Sequence, residues 1–152
     1  WAKPDAKNKF QKKYPIAQNA VQLQQGTVMD LYPTILSVAH VKPPKHYALD
    51  GADLKKLFQG KEDKKHRDDF LMHFPHGEHR ANYFTTYRKG DWKLIYYYHP
   101  ETTGVPTWKL YNLKDDPYEK TEVSAEYPEK TASMIEQMKD RLKEENALYP
   151  EE

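Results

Sequence analysis

Residues 82–99 read NYFTTYRKGDWKLIYYYH. Two runs of aromatic, β-branched and aliphatic residues flank the polar tripeptide Lys89-Gly90-Asp91, in which glycine accepts a positive φ without steric cost. This pattern predicts a β-hairpin. Because side chains alternate between faces along a strand, one face of the second run is wholly aromatic or aliphatic, whereas the opposite face is mixed. The residues of the first face are Trp92, Leu94, Tyr96 and Tyr98. We therefore expect a sheet with one covered side.

Flanking segments extend this sheet and supply its cover. FLMHFPH at residues 70–76 and TWKLYNL at residues 107–113 read as further strands. A helix is expected to start near Pro128, which suits a first helical position. Its apolar stripe consists of Ile135, Met138 and Leu142, flanked by Met134 and Ala132. The predicted fold class is α+β: a small antiparallel sheet of three or four strands covered by a C-terminal helix, with a short helical segment before the sheet.

The segment before the sheet shows weaker patterns. Asp30 is a candidate cap for a helix that ends before Pro43-Pro44. The apolar stripe of that helix is Leu31, Ile35, Val38 and Ala39. A shorter helix passes through Leu54, Leu57 and Phe58 and ends at Gly60. The charged run at residues 61–67 is expected to be a solvated loop, and residues 1–26 a polar arm or a segment ordered against a domain outside this chain.

Composition excludes several classes of function. The 152 residues contain 24 Lys and Arg against 23 Asp and Glu, so the formal net charge of +1 offers no electrostatic case for nucleic acid or an anionic membrane. No apolar run approaches the roughly 20 residues that span a bilayer. The absence of cysteine excludes disulfides, thiolate metal sites and cysteine nucleophiles. A start at Trp1 rather than Met suggests a processed chain or a piece of a longer one.

Residues 73–80, HFPHGEHR, form the densest group of reactive side chains. Three histidines at three-residue spacing resemble a metal site, but Pro75 and Gly77 disfavour the helix that would place them on one face. The group could instead bind an anionic substrate or be a plain polar loop. The candidate binding residues are His73, His76, His79 and Arg80. No nucleophile-elbow serine or glycine-rich phosphate loop is present, so the residues alone define no catalytic centre.

A series of short blocks carries a family resemblance. They are DLYPTIL (30–36), DGADL (50–54), LFQG (57–60), HFPH (73–76), YRKGDWKLI (87–95), KLYNL (109–113) and DDPYE (115–119). In order and spacing they resemble the C-terminal portion of bacterial arylsulfatase-type enzymes of the alkaline-phosphatase-like superfamily. The resemblance extends over about residues 1–145.

The resemblance implies a division of labour between this chain and a missing N-terminal catalytic domain. Residues 1–26 would be an arm or linker from that domain, and 27–152 the sulfatase C-terminal subdomain. The parent would be periplasmic or secreted and hydrolyse sulfate esters of a carbohydrate or aryl alcohol, using calcium and a formylglycine nucleophile. The motifs for both have no counterpart here. This chain would support the fold and one wall of the substrate pocket, with His73 and His76 as substrate contacts, and be inactive alone.

Two alternatives stay open. The chain could be a stand-alone carbohydrate- or protein-binding module built on the aromatic sheet, which predicts a ligand-sized groove with exposed Tyr or Trp. A docked subdomain predicts instead an exposed apolar patch, through which the isolated chain could dimerise. A phosphoesterase or phosphonate hydrolase relative is the second alternative.

Overall fold

A computed structural model describes residues 7–75, 83–104 and 106–149 of the chain. The chain divides into two compact units, Trp1–Arg67 and Asp68–Glu152. The predicted assignment of residues 1–26 to an arm and 27–152 to a subdomain concerns the origin of the segments and stays a prediction. Within the described residues, no helix has both the length and the apolar character needed to cross a membrane.

The second unit contains a four-stranded antiparallel sheet. Its strands are β1 (Asp69–Phe74), β2 (Phe84–Lys89), β3 (Trp92–Tyr97) and β4 (Trp108–Asn112), and their order in space is β1-β2-β3-β4. The β2–β3 hairpin pairs Lys89 with Trp92 and turns at Gly90, whose φ is 57°. Helices are numbered along the whole chain, and α1 to α3 belong to the first unit. A short helix, α4 (Pro100–Thr103), lies between β3 and β4. The predicted fold class is confirmed.

The C-terminal helix α5 (Pro128–Glu144) covers the apolar face of the sheet. Its buried residues are Met134, Met138 and Leu142, which pack against Leu94 and Leu110 from the centre of the sheet. Met134, a flanking residue in the predicted stripe, is therefore part of the buried row at four-residue spacing, whereas Ile135 is only partly buried beside it.

The opposite face of the sheet is also partly buried. Thr86, Ile95 and Tyr111 expose 6%, 9% and 8% of their surface, so the prediction of a sheet with one covered side is too simple. On this face the Lys93 ammonium lies 2.7 Å from the Glu119 carboxylate. A lysine within a strand thus carries an ion pair rather than marking a solvent-facing side.

The first unit is helical and contains α1 (Lys9–Lys13), a 3-10 turn (Val28–Asp30), α2 (Leu31–Ala39) and α3 (Lys55–Phe58). Sequence periodicity did not predict α1, because its apolar residues are too few to form a stripe. Its N-cap is Asn8, whose side chain accepts hydrogen bonds from the amides of Phe10 and Gln11. Tyr14, directly after α1, is buried and its hydroxyl donates to the Ser37 carbonyl at 3.1 Å.

Two expectations for the first unit were wrong in detail. Asp30 occupies the N-cap position of α2, but its side chain makes no capping hydrogen bond to that helix. It accepts instead from the Thr27 amide at 2.6 Å and closes a capping box one turn earlier. The run at residues 61–67 is not simply a solvated loop. His66 is buried within it, and Arg67 pairs with Asp30. Side chains of this run therefore make contacts inside the unit. Amino-acid composition alone cannot distinguish such a run from one whose charged side chains all face solvent.

Candidate functional site

His73 lies near the end of β1, on the face of the sheet that α5 covers. Its partner across the β1–β2 pair is Thr85, which is fully buried, and His73 Nδ1 lies 2.7 Å from Thr85 Oγ1. The Tyr98 hydroxyl lies 2.7 Å from the same Oγ1 and 3.3 Å from His73 Nδ1. Three side chains from consecutive segments of the meander thus meet in one hydrogen-bonded group.

Two residues of the C-terminal tail, Leu148 and Tyr149, also contact this group. His73 Nε2 lies 2.6 Å from the carbonyl oxygen of Leu148. Because a carbonyl can only accept, Nε2 carries a proton and donates. In the neutral imidazole, Nδ1 then accepts from the Thr85 hydroxyl. The Tyr149 ring packs edge-on against both His73 and Tyr98, with centroids 6.0 Å apart in each case.

Tyr98 stays protonated in this environment. Burial raises the pKa of its phenol, and the hydrogen bond with Thr85 offsets only part of that rise. The hydroxyl is therefore a neutral hydrogen-bonding group at ordinary pH. The cluster of His73, Thr85 and Tyr98 is suited to holding the sheet end and the tail together by hydrogen bonds, not to acting as a base or nucleophile.

The predicted substrate contacts fall into two groups. His73 lies within the residues that the structure describes, and both of its ring nitrogens have hydrogen-bond partners in the chain. A hydrogen bond from this ring to a substrate would therefore replace one of these two hydrogen bonds. Its role in substrate binding stays a prediction. His76, His79 and Arg80 lie outside the described residues.

A groove of about 690 Å³ adjoins the cluster, between the end of the sheet and the last turns of α5. Tyr96 and Trp108 form an aromatic wall, with ring centroids 4.3 Å apart. Lys139 and Lys143 lie on the helix side. The remaining lining residues are Tyr98, Met138, Leu142, Asn146, Ala147 and Tyr149. Sequence reasoning missed the two lysines. Their spacing of four residues places them on one side of α5, but nothing in the sequence shows that this side borders a groove.

A second polar centre lies in the first unit. The Asp30 carboxylate is fully buried and accepts from the Ala52 amide at 2.8 Å and from Arg67 at 2.7 Å, in addition to Thr27. Burial acts to raise the pKa of Asp30. The hydrogen bonds from Ala52 and Thr27 and the charge of Arg67 outweigh it and hold that pKa below its ordinary value. The contacts that the structure describes for this carboxylate are all made within the first unit, which indicates a structural role.

The first unit also carries an apolar groove of about 740 Å³. All four residues of the predicted α2 stripe line it: Leu31, Ile35, Val38 and Ala39. Ile35 is 63% exposed and Phe10, on the same groove, 52%. The stripe that periodicity identified is therefore real, but it faces outward in this unit.

Neither centre fits the metal site of a sulfatase. Within the residues that the structure describes, no group of three or more His, Asp or Glu side chains could hold a metal ion. The serines of the sequence are Ser37, Ser124 and Ser133, and none lies in either polar cluster. The described side chains of the two centres hydrogen-bond and pack within the chain; they do not assemble a nucleophile with a base.

Several known proteins are similar to this chain in sequence or in fold. A sulfatase of Formosa agariphila is 32% identical over 146 residues, which is 86% of this chain and 25% of that protein. BT4656, solved in complex with its substrate D-glucosamine-2-N,6-O-disulfate, is 28% identical with a TM-score of 0.60, over 75% of this chain and 23% of that one. A phosphonate monoester hydrolase of Agrobacterium radiobacter, at 23% identity and a TM-score of 0.53 over 73% of this chain and 23% of that one, shares the fold.

These similarities define a sulfatase-type C-terminal domain. The family model described as N-sulphoglucosamine sulphohydrolase, C-terminal, matches residues 5–147, and the chain belongs to that family. The resemblance drawn from the sequence blocks is thereby confirmed. The chain spans about a quarter of the length of the Formosa agariphila sulfatase and of BT4656.

Proposed function

We propose that this chain is the C-terminal part of a longer enzyme that hydrolyses sulfate esters, and that it supports the fold and forms one wall of the substrate pocket. The observation that carries the proposal is the family match over residues 5–147. The similarity to BT4656, whose substrate is a disulfated glucosamine, makes a sulfated carbohydrate the first substrate class to test. Aryl sulfates are the second.

The exposed apolar groove of the first unit supports a docking role. A surface on which Ile35 and Phe10 are more than half exposed beside Leu31 is costly to leave in water, and patches of this kind mark interaction sites. We assign the catalytic domain of the longer polypeptide to this groove. Residues 1–26 would then lead from that domain into the first unit, of which α1 and Tyr14 are already a part.

The chemistry of hydrolysis would belong to that catalytic domain. The calcium ion and formylglycine nucleophile that the sulfatase resemblance implies find no fitting set among the described residues. No reaction step is therefore assigned to this chain. Its contribution is positional: the His73 cluster orders the end of the sheet, from which the segment containing His76, His79 and Arg80 leaves.

The test compares this chain with the longest polypeptide that the same reading frame encodes. Sulfate release from a sulfated glucosamine and from an aryl sulfate is measured for both, with the matching phosphate and phosphonate esters as controls. Sulfate release by the longer polypeptide, without release by the 152-residue chain, supports the proposal. Turnover by the 152-residue chain alone would contradict it, and preferential cleavage of the phosphonate would favour the hydrolase alternative.

A further inference from the structure

We infer that the groove between α5 and the end of the sheet binds a short sulfated saccharide, with Trp108 and Tyr96 contacting the sugar rings and Lys139 and Lys143 pairing with the sulfates. This groove lies wholly within the second unit. The choice of sulfate over carboxylate as the anion rests on the proposed function; the remaining argument uses the groove alone.

The size and lining of the groove suit a sugar. A volume of about 690 Å³ lies in the range of small-molecule sites, which bury an apolar surface and add a few placed polar groups. The Tyr96–Trp108 wall offers flat aromatic surface to the C–H faces of a pyranose. Asn146 and the Tyr149 hydroxyl, both on exposed residues, supply donors and acceptors for sugar hydroxyls.

The charge of the lining selects an anion. Among the described residues that line the groove, two are lysines and none is Asp or Glu. Lys139 and Lys143 are about one helical turn apart and therefore lie on the same side of α5, where both line the groove. Lys139 lies 2.9 Å from Glu136, but that pair is exposed and leaves two of the three ammonium protons free to donate. The acids after Lys143, Glu144 and Glu145, are paired with Arg141.

A neutral or purely apolar ligand fits less well. An apolar chain would leave two ammonium groups unpaired at the rim, and a neutral sugar would forgo charge-assisted hydrogen bonds. An inorganic anion would use the lysines but leave the aromatic wall without a partner. The combination of a flat apolar body with anionic substituents matches both halves of the lining.

Binding is measured on the 152-residue chain with D-glucosamine-2-N,6-O-disulfate as the probe, by calorimetry and by tryptophan fluorescence, for which Trp108 is a reporter within the groove. We expect saturable binding that is weakened at least 10-fold by the double substitution K139M/K143M and by W108A. The matched control K114M/K120M removes the same charge outside the groove and should bind as the unchanged chain does. Because the two lysines are exposed, raising the ionic strength should weaken binding.

Three results would overturn the inference: no saturation up to about 10 mM probe, equal binding by unsulfated glucosamine, or an affinity for inorganic sulfate equal to that for the sugar. Failure here leaves the proposed function standing if the longer polypeptide still releases sulfate. Conversely, groove binding by the chain together with an inactive longer polypeptide would contradict the proposed function and support the binding-module alternative. Circular dichroism of each variant confirms that it folds.

Discussion

Arg67 and Asp30 form an ion pair across 37 positions of the chain, with Nη2 2.7 Å from Oδ1 and the carboxylate fully buried. Arg67 also donates to the Thr27 hydroxyl at 2.9 Å and to the Asp50 carbonyl. One guanidinium thus joins the start of α2 to the turn before α3.

Removing Arg67 should destabilise the first unit strongly. R67M leaves a buried carboxylate without its charged partner, which costs about 3 kcal/mol or more of unfolding free energy. Urea unfolding followed by hydrogen exchange of α2 amides measures the loss. The control K139M breaks the exposed Lys139–Glu136 pair and should change little. An R67M variant as stable as the control would show that the pair is dispensable.

The same pair should make the first unit sensitive to acid. The folded-state pKa of Asp30 lies below its ordinary value of 3.8, so its contribution to stability is complete above that value and is lost as the pH falls through the folded pKa. Stability of the α2 amides should therefore fall below about pH 4, and D30N should flatten this dependence. Asp63, whose pKa is also lowered, adds a smaller share that D63N identifies. A D30N profile as steep as that of the unchanged chain would contradict the assignment.

Gly51 should tolerate no side chain. A Cβ there would lie 2.0 Å from the Met29 carbonyl oxygen, and backbone cannot yield as a flexible side chain does. We expect G51A to cost about 3 kcal/mol in the first unit. The matched control G26A meets only the Leu54 methyl groups, at 3.6 Å and beyond, and should be tolerated. Equal midpoints for the two variants in urea would disprove the close approach.

His73 should hold the C-terminal tail in place. H73F keeps an aromatic ring but loses the hydrogen bonds to Thr85 and to the Leu148 carbonyl. We expect residues 147–149 to exchange amide protons faster and to be trimmed faster by a carboxypeptidase. Y118F alters a tyrosine that is 80% exposed and serves as the control. Unchanged protection of the tail in H73F would show that α5 alone orders it.

The isolated chain should self-associate through the apolar groove of the first unit. Covering Ile35, Leu31 and Phe10 with a second copy removes apolar surface from water, so we expect a dimer at high micromolar concentration. I35K places a charge in the groove and should give a monomer by light scattering. The control V21K alters a residue that is 86% exposed and does not line the groove. A chain that stays monomeric at every concentration tested would contradict self-association through this groove.

The sequence predicted the second unit well and the sites poorly, for a physical reason. Alternation around Gly90 and the helical period after Pro128 are local signals, and the meander and α5 follow from them. The Arg67–Asp30 pair joins positions 37 apart, and no local pattern connects them. The histidine-rich segment made His73 a candidate substrate contact. Its hydrogen bond to the Leu148 carbonyl spans 75 positions, so only the three-dimensional structure reveals it.

The order of the strands in space has a consequence for biosynthesis. Each strand pairs with the one that precedes it in the chain, so loop-closure entropy stays small and the sheet can form progressively as the polypeptide leaves the ribosome. The apolar side of that nascent sheet nevertheless stays uncovered until α5, which follows all four strands in the chain, has been translated. A chain that stalled or ended before α5 would therefore expose Leu94, Leu110 and Tyr87 to chaperones and proteases.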